Sequence, residues 1–202
     1  MLPFTGNKAM RDALIEKIYE HMRAGADISF LSADFGAPSL DKIRKDFPRN
    51  FASVGIAEQD LVNVAAGMAY EGGTVFAYAI SAFLTMRAFE QIKINFSLHA
   101  KHKRFNAHLI GVGAGLSYDI SGPSHHCLED ISIINTLPDI VIFSPSDSMM
   151  VRTFYDQLVS RGGCTYHRFD SKPLPQLYSE EQLTAETFKN GFIESAKGAD
   201  IC

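Results

Sequence analysis

Glu58 stands in the stretch Val54-Gly55-Ile56-Ala57-Glu58-Gln59-Asp60, between a short apolar run and an amphipathic one. A carboxylate at a helix start can act in two ways. It can sit against the helix dipole as a capping charge, or it can hold and release a proton at a bound ligand. His125, His126 and Cys127, followed by Glu129 and Asp130, form a second group. Adjacent residues seldom ligate one ion, and neither CxxC nor HExxH spacing is present, so the set does not read as a metal centre. Cys127 could be a nucleophile or a small buried hydrophobe. His125 lies in a Gly122-Pro123-Ser124 loop, where its ring could contact a substrate or simply be solvated. Phe83, after Ile80-Ser81-Ala82, could be core or could offer a flat face to a heterocycle. Gly111-Val112-Gly113-Ala114-Gly115 ends an apolar run, but its third glycine comes too soon for a dinucleotide fingerprint.

The elements that must position these residues follow from periodicity. Apolar residues at Ala9, Ala13, Leu14, Ile18 and Met22 predict a helix from Lys8 to Arg23, ended by Gly25. Strands are predicted at Ile28 to Ser32, Phe51 to Val54, Thr74 to Ala79, Ala107 to Val112, Ile140 to Phe143 and Gly163 to Phe169. Between them the spacing predicts helices at Leu40 to Asp46, from Glu58 to about Tyr70, Phe83 to Leu98, Leu128 to Leu137 and, capped by Asp147, on to about Val159. Strands that are continuous apolar runs alternating with helices indicate a three-layer αβα fold with a mainly parallel sheet. In such sheets ligands bind beyond the carboxyl ends of the strands. Glu58, Ser81 to Phe83, the glycine run and the His125 loop all follow strands, so one edge could gather them.

The 202-residue chain fits one domain, or one domain plus a piece of another. Its 46% hydrophobic content and formal charge of −4 are those of an ordinary globular chain, with no footprint for nucleic acid. The short Lys101-His102-Lys103-Arg104 run reads as a solvated loop. Three cysteines without a pairing pattern suggest a reducing compartment. The first residues do not form a signal peptide, and no run is long enough for a membrane span, so a cytoplasmic location is expected. After Asp170 the character changes. Lys172-Pro173-Leu174-Pro175 reads as a stiff linker, and the rest of the tail carries one modest candidate element, Ala185 to Ala196.

Taken together, Gly55-Ile56-Ala57-Glu58-Gln59, Ser81-Ala82-Phe83 with Arg87-Ala88-Phe89-Glu90-Gln91, Gly122-Pro123-Ser124-His125 with Leu128-Glu129-Asp130, and Ser144-Pro145-Ser146-Asp147 resemble the pyrimidine-binding domain of transketolase-like thiamine diphosphate enzymes. The match runs in the family's order from about Lys8 to Val159. The resemblance implies domains of 1–170, pyrimidine-binding, and 171–202, a linker with the truncated start of a C-terminal transketolase domain. It implies that Glu58 holds N1′ of the cofactor's aminopyrimidine and sets its tautomer. Phe83 would stack on that ring, with Ile56 and Ser81 beside it. His125 would face the substrate as a second catalytic residue. Ser121 and Arg11 would contact the substrate, Arg11 by its place in the first helix.

Two departures bear on the substrate. Asp119-Ile120-Ser121 stands where the family has Gly-Glu-Asp, so Ser121 replaces a carboxylate. Ser144 replaces an arginine that often binds phosphate. Losing two charge-assisted contacts points away from ordinary pentose and hexose phosphates. The family's Gly-Asp-Gly motif, which holds the diphosphate and Mg²⁺, is missing from the chain. The resemblance therefore implies a partner domain or subunit that supplies that half, in a homo- or hetero-oligomer, and a reaction that transfers a two-carbon ketol unit between sugars. A deoxyxylulose-phosphate synthase-like or 2-oxo acid decarboxylase-type component remains open, as does a non-catalytic regulatory subunit of the same fold.

Overall fold

Six parallel strands carry the chain: β1 (Ile28–Ser32), β2 (Phe51–Ser53), β3 (Thr74–Ile80), β4 (Asn106–Val112), β5 (Ile140–Phe143) and β6 (Gly163–Phe169), in the order β2-β1-β3-β4-β6-β5. These positions come from a computed structural model that describes residues 8–193. The predicted end of the tail element at Ala196, residues 1–7 and Cys202 lie outside the described residues.

The central strands are apolar on both sides because each face is covered, and the two-residue period sorts their side chains. Val75, Ala77 and Ala79 of β3 pack under α3 (Glu58–Tyr70), α4 (Phe89–Ile92) and α5 (Asp130–Ile134). Phe76 and Tyr78, between them, face α1 (Met10–Arg23), α2 (Leu40–Asp46) and α6 (Ser148–Arg161). The result is the three-layer αβα architecture that the sequence pattern indicates. Small residues dominate one face of β3 and rings the other. Among the described residues no helix is long and apolar enough to cross a membrane.

Two histidines enter the core from facing strands. Between β4 and β6, His108 Nδ1 lies 2.9 Å from His167 Nε2, and His108 Nε2 lies 3.0 Å from Asn106 Oδ1. Both imidazoles are fully buried, and Phe76 stacks on His108 with ring centroids 4.5 Å apart. Desolvation favours the neutral rings: it pulls His108 down to about 3 and His167 well below its ordinary value.

Three predicted elements differ in detail. The stretch expected as one helix over Phe83 to Leu98 is π-helical at Phe83–Arg87, α-helical only in α4, and π-helical again at Lys93–Leu98. A 3.6-residue period does not reveal an extra residue per turn, so spacing alone misses this. α5 covers only Asp130–Ile134 of the predicted Leu128 to Leu137. The first helix begins at Met10, two residues later than expected. By contrast, Asp147 caps α6 as predicted, accepting from the Met150 amide at 3.0 Å. Its other oxygen accepts from the Leu177 amide at 2.8 Å and so ties the following segment to the sheet. That segment continues to α7 (Ala185–Asn190), whose Phe188 packs on Phe154 of α6 at 5.2 Å between centroids.

Candidate functional site

Parallel strands deliver every β→α connection to the same edge, and there the loops after β2, β3 and β4 meet. Gly55 turns the chain out of β2 with φ of +76°, a left-handed conformation that costs glycine little. Three residues later Glu58 opens α3. A carboxylate in a first turn is usually solvated, whereas Glu58 is only 2% exposed. It caps nothing, since α3 has no side-chain cap. Its partner is Arg87, whose Nη1 lies 2.5 Å from Glu58 Oε2.

Arg87 closes the π-helical turn that follows β3, and Phe83 opens it. The widened turn brings the two side chains together, with the guanidinium carbon 4.7 Å from the Phe83 ring centroid. π-Turns of this kind recur at functional sites. The ring of Phe83 meets His125 edge-on at 5.2 Å, and His125 meets Tyr118 edge-on at 5.9 Å. The Ser124 hydroxyl lies 3.0 Å from His125 Nδ1. Glu58, Arg87, Phe83, His125 and Tyr118 thus form one continuous cluster drawn from three strand ends.

The glycine run serves this cluster by its lack of side chains. A Cβ on Gly113 would lie 2.2 Å from the Tyr118 ring, so only glycine lets that ring reach His125. A Cβ on Gly111 would lie 2.7 Å from both the Ser81 hydroxyl and the Tyr166 ring. Ser81 itself is fully buried, and among the described residues its hydroxyl has no hydrogen-bond partner. Behind the loop, Asp130 is fully buried and accepts from the Tyr166 hydroxyl at 3.0 Å and from Arg168 Nε at 2.8 Å. This pins the start of α5, and with it the His125 loop, to β6.

The remaining candidates are placed differently. Cys127 is fully buried and burial pushes its thiol up to about 11, so the side chain is a protonated hydrophobe and not a nucleophile. Among the described residues no three His, Cys, Asp or Glu side chains cluster to hold a metal ion. Ile56 is 77% exposed, its apolar side chain standing free two residues before Glu58. Ser121 is exposed on the loop before His125, without a hydrogen bond of its own among the described residues. Arg11 makes no ion pair or hydrogen bond with Glu58, Phe83 or His125 among the described residues, but its charge acts on the Tyr118 hydroxyl. Its guanidinium lies 5.9 Å over Phe35 and lines a cavity of about 560 Å³ with Lys8, Ser39 and Ser171. Arg87 and Tyr118 join the cluster although neither was a candidate site residue, Arg87 entering only within the Arg87-Ala88-Phe89-Glu90-Gln91 stretch. The available signal for Arg87 was its four-residue spacing from Phe83 on a helix.

The sequence profile of the transketolase, pyrimidine binding domain matches residues 7–169. The chain belongs to this family. Its relatives include an apulose-4-phosphate transketolase subunit of Phocaeicola vulgatus, 30% identical over 87% of this chain and 55% of that protein. The 6-deoxy-6-sulfo-D-fructose transketolase subunit SqwH of a Clostridium species is 27% identical over 85% of this chain and 52% of its own. A solved structure described as a split gene transketolase, inactive beta4 tetramer, superimposes with a TM-score of 0.74 at 28% identity, covering 87% of this chain and 56% of that one. The chain spans about half the length of these transketolase relatives.

Proposed function

We propose that this chain is the pyrimidine-domain half of a thiamine diphosphate-dependent transketolase-like enzyme that transfers a two-carbon ketol unit between sugars. A partner subunit or domain would supply the half that binds the diphosphate and Mg²⁺, and the assembly would work in the cytoplasm. Residues 1–170 would be the pyrimidine-binding domain, and 171–202 the linker and start of a C-terminal domain. The observation that carries the reading is the buried Glu58 carboxylate, linked through Arg87 to the Phe83 ring at the carboxyl edge of the sheet.

These residues suit the aminopyrimidine end of the cofactor. A flat heterocycle needs an aromatic or guanidinium face and a carboxylate at its edge, and Phe83, Arg87 and Glu58 offer both within one cluster. Bound thiamine diphosphate supplies the electron sink that lets a carbon–carbon bond beside a carbonyl break. The chain's own residues manage position and protons. Glu58 would hold a proton at a ring nitrogen of the pyrimidine, and its enclosure would keep water from competing for that bond. Ile56 and Ser81 would flank the ring. His125, half-buried at the Phe83 edge, would act toward the substrate with Ser121 on the same loop.

Exposed apolar side chains support a partner. Ile56, Leu116, Ile120 and Leu128 all stand out from the connections that follow β2 and β4. Ile120 is 97% exposed, which is unusual for isoleucine unless another surface covers it. The substrate is proposed to be other than an ordinary pentose or hexose phosphate, because Ser121 and Ser144 stand where the family has a carboxylate and a guanidinium. Relatives named for apulose-4-phosphate and a sulfonated deoxyfructose support this assignment.

The test is to mix the chain with its partner subunit, thiamine diphosphate and Mg²⁺, and assay ketol transfer. Activity that needs both proteins and disappears with Glu58→Gln supports the reading. A Glu58→Gln enzyme as active as the parent ends it. Strong turnover of xylulose 5-phosphate by the assembled enzyme would overturn the substrate assignment alone.

A further inference from the structure

The basic run Lys101-His102-Lys103-Arg104 plays no part in the cluster at the carboxyl edge. It lies at the opposite end of the sheet, where the chain enters β4, β5 and β6. There Lys101, Lys103, Arg104 and Arg161 line a cavity of about 760 Å³ together with Asp139 and the Gly162-Gly163 turn. That volume lies within the ordinary range of small-molecule pockets, about 300–1,000 Å³.

Four cations share this cavity with one carboxylate, Asp139. Among the described residues none of the four cations has a carboxylate within salt-bridge distance, whereas Arg44, Arg87, Arg152 and Arg168 elsewhere on the chain all do. Arg161 is held by its own turn, with Nη1 donating to the Gly162 carbonyl at 3.1 Å. Lys103 lies against Tyr70, its Nζ 5.6 Å from the ring centroid. Asp139, with φ of +68°, provides the one carboxylate. Four cations around a concave site, in a chain with a net charge of −4, form a local field of the opposite sign to the whole.

We infer that this cavity binds a small molecule carrying two phosphate groups, through Lys101, Lys103, Arg104 and Arg161. Lysine ammonium groups act as point charges and arginine forks match two phosphate oxygens at once, so the mixed set suits adjacent phosphates better than a single carboxylate. Asp139 accepts a hydroxyl or amine donor, which favours a phosphorylated sugar or nucleotide over a bare inorganic anion. A nucleic acid is a poorer occupant, because the four charges form one concave site and continue into no stripe across the surface. Remoteness from Glu58 makes this a site distinct from the catalytic one. The inference rests on the cavity and its charges and holds independently of the transketolase reading.

Calorimetric titration of the full chain with pyrophosphate, ADP and orthophosphate tests it. Pyrophosphate and ADP bind at one site per chain, ADP more tightly, and orthophosphate binds more weakly by about tenfold or more. The double variant K103Q/R104Q weakens both by at least about tenfold while leaving the melting temperature unchanged, since both side chains are exposed. Arg161→Gln weakens them in the same direction. Arg44→Gln, on α2 and outside this cavity, changes nothing. Absence of pyrophosphate binding at low salt overturns the inference. So does binding that survives in the double variant or is lost in Arg44→Gln.

Discussion

Glu58 and Arg87 depend on each other. Burial leaves the carboxylate with one strong partner, and Arg87 gains a second anchor on the Phe83 face. Glu58→Gln keeps the shape and a hydrogen-bond acceptor for Arg87 but cannot exchange a proton. Its circular-dichroism spectrum and melting temperature stay close to the parent's, while turnover of the assembled enzyme falls by at least about 100-fold. Arg87→Ala strands the carboxylate. Because Arg87 is about half-exposed, the cost is about 1–3 kcal/mol, read as a lower urea midpoint with unchanged m-value. Phe83→Ala acts on binding: the dissociation constant for thiamine diphosphate in the assembled enzyme rises by roughly 2- to 10-fold, with the melting temperature of the free chain little changed. If Phe83→Ala instead unfolded the chain, its ring would be core and not a ligand face. At this scale the sequence named Glu58, Phe83 and His125 by motif. It gave Arg87 only within a motif and no role, and it passed over Tyr118; the two are joined to the site through a π-turn and a glycine without a Cβ.

At the scale of elements, the pair β4 and β6 carries a built-in acid sensitivity. His108 and His167 are neutral in the folded chain because burial disfavours their charged forms. Unfolded, each titrates at the ordinary value of 6.5. The unfolded state therefore binds more protons below that pH, and stability falls as pH falls. It is fully present above about 6.5 and is lost progressively towards about 3, where His108 itself would charge. At pH 5.5 the loss is about 1.4 kcal/mol per histidine, a sizeable share of a domain's stability. Urea titrations between pH 7.5 and 5 should show this slope. A flat profile would mean that the pair is hydrated in solution. α6 gives a second element-level prediction. Removing the cap with Asp147→Ala costs about 1–2 kcal/mol and frees the Leu177 amide, so limited proteolysis after α6 should speed up. Strands and caps such as Asp147 were readable in the sequence because they depend on neighbours one to four residues away. The His108–His167 pair was not, because its members are far apart in sequence and meet only across two strands.

For the whole molecule, the exposed apolar side chains around the carboxyl edge predict that the chain alone is not the working unit. Mixed with its partner subunit, thiamine diphosphate and Mg²⁺, it should elute as a larger species and melt at a higher temperature, because a ligand or partner that binds only the folded state stabilises it. A chain that stays the same size with its partner present would oppose the two-part site.

The sequence by itself determined the class of fold, the order and extent of the strands, and three of the residues at the candidate site. Hydrophobic period and local turn chemistry carry that information along the chain. Tertiary structure alone decided that Glu58 is buried and paired with Arg87 instead of capping α3. It also decided that Cys127 is buried, that Arg11 lines a cavity over Phe35, and that a basic loop joins Arg161 around a second cavity at the far end of the sheet. Burial and pairing are properties of distances between residues remote in sequence. Glu58 is therefore a helix-start carboxylate by its neighbours and a candidate proton carrier by what folds over it.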